Sequence, residues 1–480
     1  MRKVYVRELK PYSLATLADL LQVSSILARE MVEQLMMRGV VCYRADRADD
    51  DEDGEPDELY QFRFVGLAMI GDIVILAYPK YFRDRVPSDD EMKVILRAIK
   101  RNAGFASLMN LTDADEKTAD KLPVMLALLD LYGEYGEYAN YVTTRVVNGA
   151  GDIDWNRTIN AHLPLISGGR PVYAEYETRK TLRDDSDFIT RLHQAVLTEC
   201  SRDLGKAGVS DLLSLEEIWL SDEDVDDFGD AETLEWRLGR ERSEQFVNWK
   251  QQVLDLLERY LLNKESAASR DEVRMLGTTS FYHLWETACK AAFGDVLDWR
   301  LGQLGLPLAG EWADKRKDTL LGIIPRPLWE RCIGSRYTAC GKVDTLVPDT
   351  VSLAVDGMGR RVFCIYDAKY YVPSPSGQMQ HQPGLESVTK QFLYQSAYKE
   401  FVADHGFDRV VNAFLVPSAD DSLTKMARVS FEKVMGKVEA PFSNHVDMWA
   451  LPANRVFEAY LDGERIDGSE MRAIWADDKA

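Results

Sequence analysis

The sequence predicts an α+β protein of several domains, in which a core of element order α-β-β-β-α-β occupies the carboxyl-terminal part. The chain has 480 residues, enough for about three domains. Apolar residues at helical spacing predict helices near the amino terminus and through the middle. After residue 275, short apolar runs typical of strands alternate with helical segments. We therefore divide the chain into domains 1–82, 83–270 and 271–480.

The first domain has the element order of a winged helix. Leucines at helical spacing predict a helix from Leu14, and Ser24 can cap a second helix that runs to Met37. Strand-like segments follow at Val40–Arg44 and Leu59–Leu67. The acidic run between them, at the position of a wing, would repel DNA phosphates. We therefore expect this winged-helix-like domain to bind protein or to be structural, rather than to read DNA.

The middle domain is predicted to be mixed but mainly helical, with a β-rich insert that carries the stretch GDIDWNRTI at 151–159. Its helical patterns cover 91–103, 121–141, 187–204 and 232–262. A small polar segment, Lys264–Arg270, marks its end. We expect this domain to bind a partner or to position DNA.

The charge of the chain is strongly negative. Its 79 acidic and 58 basic residues give a net charge of −21, whereas affinity for DNA comes mainly from Lys and Arg that neutralise phosphates. Much of the excess lies in two acidic runs, 49–58 and 222–232, which we interpret as solvated loops. We expect the protein to bind duplex DNA weakly alone, so that another protein delivers the DNA.

Cysteine usage and hydropathy indicate a cytoplasmic protein. The six cysteines form no CxxC pair, which disfavours a zinc site and a disulfide framework. No stretch is apolar enough to cross a bilayer, and the charged start of the chain is not followed by the apolar run of a secretory signal.

The strongest chemical signal is an apolar strand, Val362–Tyr371, that ends in Asp367 and Lys369. Alternate residues on a strand point to the same face, so these two side chains project together. The turn Asp356–Arg360 joins this strand to Pro348–Val355. If Val355 pairs with Arg361, then Asp349 lies opposite Asp367, but a slip of one residue would separate them.

Two converging carboxylates beside a lysine predict metal-assisted hydrolysis. Oxygen ligands suit Mg²⁺, with Mn²⁺ as a substitute, and Asp349 and Asp367 could share one cation. Lys369 would orient the attacking water and offset negative charge. Thr279 or Ser280 can cap a helix over 281–293 that carries Glu286, a third candidate ligand.

A structural interpretation competes with the catalytic one. An isolated pair such as Asp367 and Lys369 is often only a salt bridge, and Glu286 could pair with Lys290 four residues on. The order of elements favours a site: an acidic helix, Pro-Asp, a hairpin, a strand ending in DxK, and then a helix with Lys, Gln and Tyr.

That last helix is predicted over Glu386–Phe401. Gln391, Tyr394 and Tyr398 share one face, and Lys390 lies beside it. Lys390, Gln391 and Tyr394 could hold DNA by donating to phosphate oxygens, although the tyrosines could instead pack on the sheet. The loop 373–384 precedes the helix, and a further strand, 409–416, completes an α-β-β-β-α-β core.

Several motifs resemble the LlaJI/McrC group of restriction-system nucleases within the PD-(D/E)XK superfamily. They are Pro348-Asp349, the YDAKY stretch at 366–370, Pro383-Gly384, Lys390-Gln391 with Tyr394, the segment 60–81 and the GDIDWNRTI stretch. The resemblance implies a PD-(D/E)XK nuclease domain with Glu286, Asp349, Asp367 and Lys369 at catalytic positions and Gln391 at an accessory one.

The resemblance also implies a partner, an AAA+ GTPase similar to McrB that recognises or translocates DNA. This chain has no GxxxxGK[ST] sequence, so it is not the nucleotide-hydrolysing component. We therefore expect a Mg²⁺-dependent endodeoxyribonuclease subunit of a two-component restriction system in antiviral defence. The alternatives are a non-catalytic adaptor, which would bind no metal, and a stand-alone DNA repair nuclease, which would not be encoded beside an AAA+ GTPase.

Overall fold

The protein is a mixed α+β molecule with several small sheets, described here from a computed structural model. The described residues are 2–45, 58–83, 85–110, 121–266, 273–342, 344–374, 380–436, 438–466 and 468–476. They form two compact units, one made of 2–104 with 276–480 and the other of 105–275. Within these ranges no helix combines the length and apolar character needed to cross a bilayer.

The amino-terminal elements build two small sheets with orders β2-β4-β3 and β1-β6-β5-β12, and the second sheet includes one later strand, β12 (Arg274–Thr278). Ser13 and Ser24 cap the first two helices, each accepting a backbone N–H with its side chain. The elements are β1 Arg2–Arg7, β2 Pro11–Ser13, α1 Leu14–Leu21, α2 Ser25–Met37, β3 Val41–Ala45, β4 Glu58–Phe62, β5 Val65–Ile70, β6 Ile73–Tyr78 and α3 Asp89–Asn110. The predicted helices are confirmed, while the winged-helix assignment stays a prediction because the acidic run at 49–57 is outside the described residues.

The unit of residues 105–275 combines helices with an exposed antiparallel sheet of order β7-β11-β8. Its elements are α4 Lys121–Tyr135, β7 Tyr141–Val147, β8 Asp152–Ile153, α5 Trp155–Ala161, β9 Leu165–Ser167, β10 Arg170–Val172, β11 Glu177–Arg183, α6 Phe188–Lys206, α7 Val209–Leu213, α8 Ala231–Glu244 and α9 Asn248–Ser266. The helical and β-rich character expected of this region is present.

Two predicted helices of this region were too long. The helix predicted over 121–141 ends at Tyr135, because Gly136 adopts a left-handed conformation with φ of 79°. The helix predicted over 232–262 is broken at Gln245, whose backbone is extended. The Gln245 side chain accepts from the backbone N–H groups of Phe246 and Val247, which satisfies donors where α9 begins.

The carboxyl-terminal part is built on a five-stranded sheet of order β15-β16-β17-β19-β18. Its elements are β12 Arg274–Thr278, α10 Phe281–Phe293, α11 Glu311–Asp314, β13 Leu328–Ile333, β14 Arg336–Lys342, β15 Thr350–Val355, β16 Arg361–Ala368, α12 Leu385–Ala397, α13 Lys399–Asp404, β17 Arg409–Ser418, β18 Thr424–Ser430, α14 Glu432–Met435, β19 His445–Pro452, α15 Ala453–Asp462 and α16 Gly468–Trp475.

The two faces of this sheet are covered by different helices. On one face, Phe363 and Ile365 of β16 pack with Tyr394 and Tyr398 at the end of α12. On the other, Trp285 of α10 packs edge-on against Phe457 of α15, with ring centroids 5.8 Å apart. Both faces of β16 are therefore buried, which explains its nearly continuous apolar sequence.

The predicted α-β-β-β-α-β order is correct only in part. Among the described residues between α10 and α12 there are four strands, of which β15 and β16 belong to the five-stranded sheet. β13 and β14 pair with each other across the short turn at Gly334 and form their own two-stranded sheet. The helix predicted over 386–401 also divides at Tyr398 into α12 and α13.

The grouping of the chain differs from the predicted division into 1–82, 83–270 and 271–480, which stays a prediction. Residues 2–104 form one compact unit with 276–480, because backbone from the two regions packs at contact distance. A β-carbon added at Gly66 or Gly277 would collide with backbone atoms of the opposite segment.

We predict that Gly277→Ala destabilises the unit of 2–104 and 276–480 by about 1–3 kcal/mol, the usual cost of overpacking. The new methyl group would overlap the Phe64 ring and lie 2.5 Å from the Val65 carbonyl oxygen. Thermal unfolding followed by circular dichroism measures the loss. Gly357→Ala is the control, since its nearest contacts are atoms of Arg472 at 3.7 Å. Equal melting temperatures for the two variants would refute the close packing.

Candidate active site

The hairpin of β15 and β16 positions the central residues. Val355 pairs with Arg361 and Thr350 with Tyr366, which is the register predicted from the sequence. Asp356 closes the turn, and its Oδ1 accepts the backbone N–H groups of Met358 and Arg360 at 2.9 Å each. Because Asp349 directly precedes β15, the same register directs it towards Asp367.

Asp349, Asp367 and Lys369 form one cluster. The Lys369 ammonium donates to Oδ1 of Asp367 and lies 3.7 Å from Oδ2 of Asp349. The Asp367 side chain is 7% exposed, compared with 22% for Lys369 and 28% for Asp349. The cluster therefore places a nearly buried carboxylate behind two groups that solvent can reach.

The electrostatics follow from two carboxylates in a confined space. Burial, a hydrogen bond with Asp349 and the charge of Asp349 raise the pKa of Asp367 to about 7, although Lys369 opposes the shift. Burial alone would lower the pKa of Lys369, but the charges of Asp367 and Asp349 outweigh it and raise that pKa. The lysine is therefore held as a cation between acids that repel each other.

Glu286 reaches the cluster from α10. Burial and the charge of Asp349 raise the pKa of Glu286, and its carboxylate lies 3.5 Å from Nδ1 of His283. Trp285 Nε1 donates to the Leu415 carbonyl oxygen at 3.1 Å, and the backbone N–H of Lys369 donates to the same oxygen at 2.9 Å. One carbonyl of β17 thus ties α10 to the backbone of Lys369.

Asp349 and Asp367 are the side chains best placed to hold a divalent cation. Oδ2 of Asp349 is buried and accepts no hydrogen bond from the described residues, and its like charge raises the pKa of Asp367. Both features suit a site that binds a divalent cation. In the described part of the chain, no three or more His, Cys, Asp or Glu side chains are grouped to hold a metal ion, and the role of Glu286 as a third ligand stays a prediction.

The predicted DNA-positioning residues lie in different surroundings. Lys390 is half exposed and pairs with Glu386. Tyr394 is buried, and its hydroxyl donates to the Val347 carbonyl oxygen at 3.0 Å, two residues before Asp349. Gln391 is fully buried, and neither its amide nitrogen nor its amide oxygen has a hydrogen-bond partner among the described residues. Of these three side chains, Lys390 is the one that is accessible to solvent.

Tyr398 has the packing role that was the alternative interpretation of this helix face. It is fully buried, and its ring centroid lies 5.1 Å from that of Phe363. Its hydroxyl donates to the Leu320 carbonyl oxygen at 3.2 Å.

Asp295 supports the site and was not predicted from the sequence. Its Oδ1 accepts the backbone N–H groups of Val351 at 2.8 Å and Leu297 at 3.2 Å. These bonds fix the start of β15, and with it Asp349. The one local signal was the position of Asp295 directly after Gly294, which ends α10 in a left-handed conformation.

Comparison with known proteins places the chain among restriction enzymes. A family model described as LlaJI restriction endonuclease matches residues 64–302 and 314–447, well over half of the chain. The type II restriction enzyme BsuMI component YdjA of Bacillus subtilis (strain 168) is 26% identical over 425 residues, which cover 85% of this chain and 83% of that protein. The resemblance to LlaJI proteins is confirmed.

Two solved assemblies from Thermococcus gammatolerans are similar at low scores. One is a half-complex from a tetradecameric assembly of McrB AAA+ hexamers with bound McrC. It has a TM-score of 0.35 at 12% identity, over 96% of this chain and 99% of that chain. The other, a McrBC complex, has a TM-score of 0.23 at 12% identity, over 59% of this chain and 84% of that chain. Neither score identifies the fold or a partner.

We predict that the metal-free protein loses stability between about pH 4 and pH 7 because of Asp367. The pKa of this carboxyl group is higher in the folded state than its ordinary value of 3.8. Its contribution to folding stability is therefore fully present below pH 3.8 and is lost as the pH rises to about 7. Asp349→Asn removes the neighbouring charge and should reduce that loss. We therefore expect the variant to melt above the wild type at pH 8 in EDTA, with a smaller difference near pH 4.

Thermal melts at both pH values test this expectation. The control is Asp314→Asn, which removes an exposed carboxylate elsewhere in the same unit. If Asp349→Asn melts below the wild type at pH 8, the two carboxylates do not repel each other in the folded protein.

Proposed function

We propose that this chain, which belongs to the LlaJI restriction endonuclease family, is the nuclease component of a two-component restriction system and hydrolyses DNA phosphodiester bonds with Mg²⁺. The observation that carries the proposal is the cluster of Asp349 and Asp367 around the Lys369 ammonium. Family membership supports an endonuclease, and the cluster supports the site at which it acts.

The chemistry assigns each side chain a task. Asp349 and Asp367 would hold Mg²⁺, or Mn²⁺ in its place, and Glu286 would contact the ion or its water. When bound, the ion would polarise the scissile phosphate and lower the pKa of a bound water. Lys369 would orient the attacking water through its ammonium protons and offset the negative charge that develops on the phosphate.

The acidic character of the chain supports delivery of DNA by a partner. A net charge of −21 disfavours contact with the phosphate backbone, and the similar Bacillus protein is named as a component of an enzyme. We propose an AAA+ GTPase similar to McrB as the second subunit, since this chain has no GxxxxGK[ST] nucleotide-binding sequence.

Lys390, Gln391 and Tyr394 are proposed to position the DNA in different ways. Lys390 can reach a phosphate directly, because its side chain is 47% exposed and its pair with Glu386 lies at the surface. Tyr394 is proposed to act through the backbone, since its hydroxyl holds the segment before Asp349. Gln391 would need a local rearrangement to contact DNA, because its side chain is fully buried.

We predict that Asp367→Ala and Lys369→Ala each abolish DNA cleavage while the protein still folds and binds its partner. Each change removes a side chain that acts on the reacting groups, and such losses typically reduce rates by a factor on the order of 10² or more. The assay is cleavage of plasmid DNA with Mg²⁺ and GTP, using the chain co-purified with the proposed AAA+ partner.

The matched control is Lys433→Ala, which removes an exposed lysine from α14 and should cleave like the wild type. Full cleavage by the Asp367 or Lys369 variant would show that another site carries the reaction.

We also predict that the chain binds Mg²⁺ or Mn²⁺ and that Asp349→Asn removes this binding, because it neutralises one of the two carboxylates that face the proposed ion. Isothermal titration calorimetry with MnCl₂, with and without DNA, measures it. Asp314→Asn, which changes an exposed carboxylate, should bind as the wild type does. Absence of binding by the wild type, even with DNA present, would favour the non-catalytic adaptor.

A further inference from the structure

Tyr370 lies next to Lys369, at a point where the chain has left the sheet. β16 ends at Ala368, so Lys369 and Tyr370 follow the last residue paired with β15 or β17. The backbone N–H of Lys369 donates to the Leu415 carbonyl oxygen, and that of Tyr371 donates to the Lys369 carbonyl oxygen, each at 2.9 Å. The position of the lysine therefore depends on how this short segment is held.

The Tyr370 side chain is held by residues from the amino-terminal part of the same unit. Its hydroxyl donates to Oε2 of Glu8, a carboxylate residue that is 8% exposed. The backbone N–H of Lys80 donates to the same oxygen at 3.1 Å. The Lys80 ammonium lies 4.4 Å from the centroid of the tyrosine ring, within range of a cation–π interaction.

Aromatic packing closes the space around the ring. The Tyr370 centroid lies 5.0 Å from that of Phe281 and 6.5 Å from that of Tyr81. Phe281 begins α10, the helix that carries Glu286. Tyr370 therefore packs against the helix that carries Glu286, and it is also the residue directly after Lys369 in the chain.

A second hydrogen bond ties the next part of the chain to the same amino-terminal segment. The Arg83 guanidinium donates through Nη2 to the Pro373 carbonyl oxygen at 2.7 Å. Lys80 begins the short 3₁₀ turn that follows β6, and Arg83 directly follows that turn. The chain that leaves the DxK strand is thus fixed at residues 370 and 373 by one segment, 290 positions earlier in the sequence.

We infer that Tyr370, held by Glu8, is a positioning residue that keeps the Lys369 ammonium between Asp349 and Asp367. A buried hydrogen bond between a tyrosine and a carboxylate is directional. It therefore fixes the position of the Tyr370 backbone more narrowly than apolar packing alone would. The amino-terminal region is accordingly part of the catalytic unit. This inference deepens the proposed function and rests on it, since Lys369 is the group that would act.

The kinetic test compares Tyr370→Phe and Glu8→Ala with the wild type, in the complex with the AAA+ partner. We expect kcat to fall on the order of tenfold or more, because small displacements of a reacting group are costly, with KM for DNA unchanged. The double variant should lose no more than either single variant, because the two side chains belong to one bonded group, in which the Lys80 backbone N–H also donates to the Tyr370 hydroxyl and to Glu8. Glu8→Gln should retain most of the activity, since its amide oxygen still accepts from the tyrosine.

Tyr366→Phe is the matched control. Tyr366 is a fully buried tyrosine on β16, and its hydroxyl accepts from Nε1 of Trp475 at 2.9 Å. Its removal costs a hydrogen bond of a fully buried tyrosine three residues before Lys369 but leaves the Glu8 contact intact. We expect kcat to stay at the wild-type value. An equal loss of kcat in Tyr366→Phe would overturn the inference, since the effect would then reflect general destabilisation.

A second measurement needs no catalysis. An amine-specific reagent is applied to the metal-free chain without DNA, and the labelling rate of Lys369 is followed by mass spectrometry. We expect faster labelling in Tyr370→Phe than in the wild type or Tyr366→Phe, because the ammonium is no longer held between the carboxylates. A wild-type rate in Tyr370→Phe would overturn the positioning role. If Tyr370→Phe is labelled faster but the wild type cuts no DNA, the positioning role stands and only the proposed function is refuted.

Discussion

The pairing register of β15 and β16 is the constraint on which the candidate site depends. Side chains alternate between the two faces of a strand, so a slip of one residue would turn Asp367 and Lys369 away from Asp349. Side-chain hydrogen bonds at both ends of the hairpin hold the register. Asp356 closes the turn at one end, and Asp295 anchors Val351 at the other. The site is thus the open end of a hairpin whose pairing is enforced along its whole length.

The same hairpin creates an electrostatic conflict. Asp367 is nearly buried, Asp349 adds a second negative charge, and Lys369 offsets only part of their repulsion, as the raised pKa of Asp367 indicates. Such clusters are typical of functional sites, where charge that destabilises the free protein is arranged for a ligand. In the proposed function that ligand is a divalent cation together with the phosphate it contacts.

Prediction from the sequence was most accurate where the signal was local. The serine cap at Ser24 and the turn at 356–360 depend on neighbouring residues, and α2 and the hairpin occur where they were expected. Helix length was less predictable, because the ends of α4 and α8 depend on the backbone of single residues such as Gly136 and Gln245. Burial on α12 was not predictable either, since the spacing of Gln391 and Tyr394 identifies a shared face but not what covers it.

The sequence by itself determined the hairpin, the strand parity of Asp367 and Lys369, and the motifs that indicate the LlaJI family. These features require only residues within a few positions of each other, or a stretch similar to that of known relatives. The tertiary structure alone decided that residues 2–104 join 276–480 and that Glu8 and Arg83 hold the chain beyond Lys369. The physical reason is the distance along the chain between the contacting residues. Local periodicity shows that a surface will be buried, but not which surface, hundreds of residues away in the sequence, will cover it.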